Sequence, residues 1–168
     1  MRRTALILSA LIMLALTGCD KVDSTSRIPT YQVAIRLNST GLWNTYGVHS
    51  YGESVRFSRD KGIPANYSYT ATTYTGFGGV LLICGYNFVS GDYNSPLAYD
   101  LACPVEAKSS VIVSVNSDYE AVCPVCGSHF NVTEGGGGPI SGPALTKKYG
   151  LQRYTVTAAT NGGYVITN

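Results

Sequence analysis

The chain has 168 residues, a single-domain length, and its 12 basic against 10 acidic side chains give a formal net charge of +2. That balance, with no basic stripe, excludes a nucleic-acid-binding surface of the ordinary electrostatic kind. Thirteen tyrosines against four phenylalanines, with nineteen glycines and 13% charged residues, favour strands and turns over helices.

The N-terminus, MRRTALILSALIMLALTGC, carries two arginines, an apolar run from Ala5 to Leu16 and small residues ending at Cys19. This is the pattern of a secretory signal, too short to be a membrane span. Its close, Leu16-Thr17-Gly18-Cys19, resembles the lipobox of bacterial lipoproteins. The resemblance implies removal of residues 1–18, lipidation of Cys19 and a bacterial cell-envelope protein anchored to a membrane by acyl chains, outside the cytoplasm. Several acyl chains suffice for lasting attachment where one does not. Loss of Arg2 and Arg3 leaves ten basic and ten acidic residues, a formally neutral mature chain. Residues 19–30 are poor in apolar side chains and read as a tether, so one β domain is expected over 31–168.

Val33, Ile35 and Leu37 alternate with Gln32, Ala34 and Arg36, which is the period of a half-buried strand. A turn-rich piece follows, with a short strand near Val55 to Phe57. NYSYTATTYTGFGGVLLICGYN is the longest β-prone region, and its glycine-bounded run Val80 to Cys84 predicts a buried strand. PLAYDLACP, SSVIVSVN, YEAVCP, HFNVT, LQRYTVTAA and GGYVITN follow as short strands between turn residues. The spacing predicts an all-β sandwich or small barrel of antiparallel strands, and no segment has an amphipathic helical pattern. The N-x-S/T triplets at Asn38, Asn66 and Asn131 read as surface turns.

Four cysteines lie beyond Cys19: Cys84, Cys103, Cys123 and Cys126. In an oxidising compartment four cysteines make disulfides with three alternative pairings. A zinc ribbon needs two C-x-x-C knuckles to close a tetrahedron, and only Cys123-Pro-Val-Cys126 has that form. A thioredoxin-like dithiol needs a following helix, whereas GSHFNVTEGGGG reads as strand and loop.

Taken together, YDLACPVE, the nineteen residues between Cys103 and Cys123, CPVCGSHFN, the glycine-proline segment GPISGPAL and the terminal GGYVIT resemble the Rieske iron–sulfur domain. The resemblance runs from about Gly78 to Thr167. It implies a Rieske-like sandwich or barrel with two ligand loops and a covering loop at Gly142-Pro143-Ala144. In that family the loops carry C-x-H and C-x-x-H, and two histidines hold one iron. Here Cys103 and Cys123 match the cysteines, but Val105 and Cys126 stand at the histidine places. Valine has no donor atom, so a standard Rieske centre cannot form. Cys103, Cys123 and Cys126 remain as ligand candidates, with Cys84, Glu106 or His129 as sources of a fourth.

Two functions from different classes follow from the resemblance. One is a membrane-anchored protein binding a [2Fe-2S] cluster or another metal such as zinc, with an electron-transfer role toward a redox partner. The other is a cluster-free fold that keeps disulfides and acts as a structural or interaction module. Enzyme function has little support, since no Ser-His-Asp, paired-carboxylate or phosphate-loop pattern occurs and only two histidines are present.

Overall fold

The computed structural model describes residues 27–134 and 136–168. The signal segment, Cys19 and most of the tether fall outside the described residues. None of the described helices is long and apolar enough to cross a membrane.

Antiparallel strands make up most of the regular structure among the described residues, as the alternating patterns predict. In chain order they are β1 (Val33–Leu37), β2 (Ser54–Phe57), β3 (Tyr74–Thr75), β4 (Val80–Asn87), β5 (Asp92–Asp100), β6 (Ser114–Val115), β7 (Glu120–Val122), β8 (His129–Asn131), β9 (Gly138–Ser141), β10 (Arg153–Ala158) and β11 (Tyr164–Thr167). Seven of them form one sheet in the order β2-β4-β5-β10-β11-β1-β3, curled nearly into a barrel. Its two edges approach each other through Arg59, whose N–H donates to Thr75 Oγ1 at 3.5 Å and whose guanidinium donates to the Thr73 carbonyl at 3.3 Å. The other four strands, β6-β7-β8-β9, form a small sheet inserted in sequence between β5 and β10.

The apolar run Val80–Cys84 has no polar alternation because β4 is covered on both faces. Val80, Leu82 and Cys84 point into the barrel beside Val33, Ile35, Leu37, Phe57, Ala98 and Ile166. Leu81 and Ile83 point the other way, with Leu97, Tyr99 and Leu101 of the β5 side, into a second core completed by Val113, Ala121, Phe130 and Val132 of the small sheet. The small sheet is thereby clamped to the outer face of the β4–β5 hairpin by burial of apolar side chains. A main-chain bond reinforces the clamp, Tyr86 N–H donating to the Thr133 carbonyl at 2.7 Å.

Gly85 makes that close approach feasible. A Cβ at this position would collide with the Thr133 carbonyl and crowd the Leu97 side chain at 2.9 Å. Gly85→Ala is expected to cost about 2 kcal/mol by overpacking. The shift should appear as a lower urea midpoint at unchanged m-value; a midpoint equal to that of the parent protein would contradict the clamp.

The structure differs from the sequence expectation in several places. Thr40–Tyr46 is a short helix, α1, started by Ser39, whose hydroxyl accepts from the Leu42 N–H at 3.2 Å. It buries none of its residues, so it left no apolar periodicity to read. Residues 67–73 form turns and irregular chain instead of a strand. There Tyr67 packs edge-on against Phe57, Tyr46 and Tyr69, so these aromatic residues serve the barrel core by side-chain stacking. Packing also begins before Tyr31: Ile28 is buried and the Arg27 guanidinium lies over the Tyr149 ring at 4.9 Å. Of the three Asn triplets, Asn38 and Asn66 are exposed outside strands, whereas Asn131 ends β8.

Candidate metal centre

The two loops that carry the cysteines leave neighbouring parts of the second core. β5 ends at Asp100 and the chain continues through Leu101 and Ala102 to Cys103; β7 ends at Val122, directly before Cys123. Cys103 N–H donates to the Val111 carbonyl at 3.0 Å and Cys123 N–H to the Ser128 carbonyl at 2.9 Å, so each loop is closed at its base. Closing both loops brings Cys103, Cys123 and Cys126 together, with their sulfur atoms all within 4.8 Å of one another. Cys103 and Cys123 are buried and Cys126 is half-buried, leaving an approach from solvent on the Cys126 side.

The spacing distinguishes among the chemistries open to three thiols. Cys103 Sγ and Cys126 Sγ are 3.6 Å apart. A disulfide holds its sulfurs at about 2.05 Å. Two thiolates on one tetrahedral zinc, with Zn–S of about 2.3 Å, stand ~3.8 Å apart. The Cys103–Cys126 pair is close to the separation of two thiolates on one ion, and the three sulfurs together could hold one.

Backbone and hydroxyl donors surround these sulfurs. Burial pushes the Cys103 thiol up to about 12, opposed by the N–H groups of Glu106 and Val105 directed at its sulfur. Burial acts in the same direction on Cys126, but the Ser128 hydroxyl, the Ser128 N–H and the neighbouring Cys123 and Cys103 thiols outweigh it and hold Cys126 below the usual thiol range. Ser128 Oγ lies 3.1 Å from Cys126 Sγ and accepts from the Ala144 N–H at 3.0 Å, which leaves its own proton available to a thiolate. An ion bound by the buried Cys103 must displace its proton, so binding is coupled to proton release.

The covering segment predicted at Gly142-Pro143-Ala144 does lie over the second loop. Gly142 has φ 76°, and a Cβ on it would meet Ser128 Cα at 2.8 Å and the Gly127 carbonyl at 3.0 Å. The segment opens a short helix, α2 (Pro143–Lys147), which starts with Pro143 and has Ala144 buried against the second core. Only five residues long, α2 gave no periodic signal in the sequence.

Other sequence candidates lie elsewhere. Cys84 is buried in the barrel interior, on the opposite face of β4 from the residues that pack toward the trio, and it is not among the three grouped sulfurs. His129, on β8, is engaged by Glu120 at 2.7 Å across the β7–β8 pair. Val105 is half-buried and packs against the second core as an ordinary apolar side chain.

One supporting residue went unread in the sequence. Asp100, fully buried at the end of β5, accepts from Ala102 N–H at 2.7 Å, from Phe77 N–H at 3.0 Å, from Gly78 N–H at 3.0 Å and from the Tyr154 hydroxyl of β10. Burial pushes its carboxyl up, while the Tyr154 hydroxyl and the three N–H groups pull it back. It ties the start of the first cysteine loop to the Gly76–Gly79 turn and to the barrel. The available signal was an Asp directly after the run Pro96-Leu97-Ala98-Tyr99 at the end of a strand, where burial demands several donors.

The chain matches no family model, and no curated protein matches it.

Proposed function

We propose that this is a membrane-anchored metal–thiolate protein of the bacterial cell envelope, Rieske-like in build, with its metal at Cys103, Cys123 and Cys126. The observation that carries the reading is the grouping of three sulfurs within 4.8 Å on two loops closed by their own backbone bonds. The insertion of the small sheet between two strands of the larger one, and the Gly142 segment over the second loop, support the Rieske-like part. Lipidation at Cys19 belongs to the same reading through the lipobox resemblance.

The residues do not fit a Rieske [2Fe-2S] centre, because Val105 offers no donor and Cys126 replaces a nitrogen by a sulfur. Their separation suits a single ion. Zinc bound here would cross-link the two loops. Iron in the same thiolate set would add a one-electron couple close to the surface, tuned by the Ser128 hydroxyl and the loop N–H groups, and would serve outer-sphere electron transfer.

Elemental analysis of the full chain, purified anaerobically, tests the reading together with intact mass after thiol blocking. One equivalent of zinc or iron per chain and freely blocked thiols after chelation support it. Metal-free protein with a mass deficit of about 2 Da for one bridge or about 4 Da for two would replace it by the disulfide-stapled interaction module. Two irons with acid-labile sulfide would restore the cluster.

A further inference from the structure

The two cysteine loops are the same turn used twice. Cys103-Pro-Val-Glu106-Ala107 and Cys123-Pro-Val-Cys126-Gly127 agree in their first three residues. Both turn over the three residues that follow the cysteine, the first after the Ala102 bridge to Ile112 and the second directly after β7. Ala107 N–H donates back to the Cys103 carbonyl at 2.9 Å, and Gly127 N–H donates to the Cys123 carbonyl at 3.0 Å. The residue after each turn is left-handed, with φ 50° at Ala107 and 66° at Gly127. An alanine held in that region is unusual, and its agreement with the glycine of the other loop marks the two backbones as equivalent.

In the second turn, the fourth residue is Cys126, whose sulfur joins the trio and comes 3.6 Å from Cys103. In the first turn, the fourth residue is Glu106. Its N–H faces the Cys103 sulfur, as expected of a turn wrapped around a ligand. Glu106 is half-buried, and its carboxylate makes no hydrogen bond or ion pair among the described residues. The rival donors are occupied or remote: His129 is held by Glu120, and Cys84 lies inside the barrel.

From this equivalence we infer that Glu106 supplies the fourth ligand, an oxygen that completes a tetrahedral three-cysteine, one-glutamate site for a divalent ion such as zinc. A site made of two turns places one ligand from the first and the fourth residue of each, and zinc accepts carboxylate oxygen alongside sulfur. The Glu106 carboxylate is not itself among the grouped donor atoms, so ligation requires this side chain, longer than a thiol on the same backbone position, to turn toward an ion held by the three sulfurs. With three thiolates a divalent ion carries one excess negative charge, and Glu106 raises it to two; the loop N–H groups and the Ser128 hydroxyl are donors placed to offset it.

This inference rests on the proposed metal centre, and cobalt(II) substitution separates the two. Titration of the reduced, anaerobic full chain with cobalt should give a tetrahedral visible spectrum with thiolate charge transfer from three sulfurs. Glu106→Gln should weaken zinc, measured by chelator competition, by at least about 10-fold. Glu106→Cys should restore tight binding and raise the charge-transfer intensity by about one third, the ratio of four thiolates to three. Far-UV circular dichroism of both variants checks that the fold is intact. Unchanged zinc affinity in Glu106→Gln, or a Glu106→Cys complex with the spectrum of the parent protein, overturns the role of Glu106 and leaves the metal centre standing. A parent protein that takes up neither cobalt nor zinc overturns both.

Discussion

Cys103→Ser is expected to lower affinity for zinc or iron by at least about 100-fold, because even the outer partners of metal ligands account for roughly 10–100-fold and Cys103 is a proposed ligand itself. A serine hydroxyl does not ionise near neutral pH, so it cannot replace the thiolate. The loss should also appear as stability. An ion at a free concentration a hundred times its dissociation constant adds about 2.7 kcal/mol to a protein that binds it only when folded. The parent protein should therefore show a denaturation midpoint that rises with added zinc, and Cys103→Ser a midpoint that does not. Cys84→Ala supplies the comparison: its side chain is in the barrel, so the variant should lose about 1–2 kcal/mol from the small cavity and keep one metal per chain. A Cys84 variant that lost its metal while Cys103→Ser kept it would reverse the assignment.

Asp100→Asn is expected to destabilise the protein by about 3 kcal/mol, although the two side chains have nearly the same shape. The Asp100 carboxylate is met only by donors: three backbone N–H groups and the Tyr154 hydroxyl. An amide must turn its own NH2 toward one of them, which leaves at least one buried donor unpaired and weakens the remaining bonds from charge-assisted to neutral. Tyr154→Phe removes one of these bonds and leaves the carboxylate its backbone partners, so it should cost less, about 1.5 kcal/mol. Urea denaturation of both variants measures the order. Since Ala102 is the residue before Cys103 and one of the four partners, Asp100→Asn should also loosen the first loop and weaken metal binding. Equal stability of Asp100→Asn and the parent protein would mean that the carboxyl is already protonated and acts as a donor.

The strands of this protein were legible because their burial is one-sided or two-sided in ways that leave a mark. Val33, Ile35 and Leu37 alternate with exposed Arg36, and Val80–Cys84 runs apolar because both faces of β4 are covered. The helices α1 and α2 were not legible, since the first has no fully buried residue and the second is five residues long. The tyrosine-rich stretch was misread as strand for a related reason. Aromatic residues signal a pleated surface by propensity, but Tyr67 and Tyr69 are used for ring packing at the barrel, which propensity does not distinguish.

At the candidate site, the Rieske resemblance pointed to Cys103, Cys123 and Cys126, whose sulfurs the fold does bring together, and to a segment at Gly142, which lies against the second loop. Cys84 was ambiguous for a physical reason: parity along β4 says that it shares a face with Val80 and Leu82, but not which face looks toward the loops. The kinship of CPVE with CPVC was present in the letters and carried no weight there, because glutamate does not resemble cysteine as text. It acquired weight from backbone geometry, through the matched return bonds and the left-handed Ala107 and Gly127.

The sequence by itself determined an antiparallel β protein, three thiols on two loops and the absence of a donor at Val105, since periodicity and side-chain chemistry are local properties. Only the tertiary structure decided that Cys84 belongs to the barrel, that Asp100 anchors the first loop, and that Glu106 occupies the place of Cys126 in a repeated turn. Those outcomes depend on how two sheets pack against opposite faces of one hairpin, and no local pattern along the chain records it.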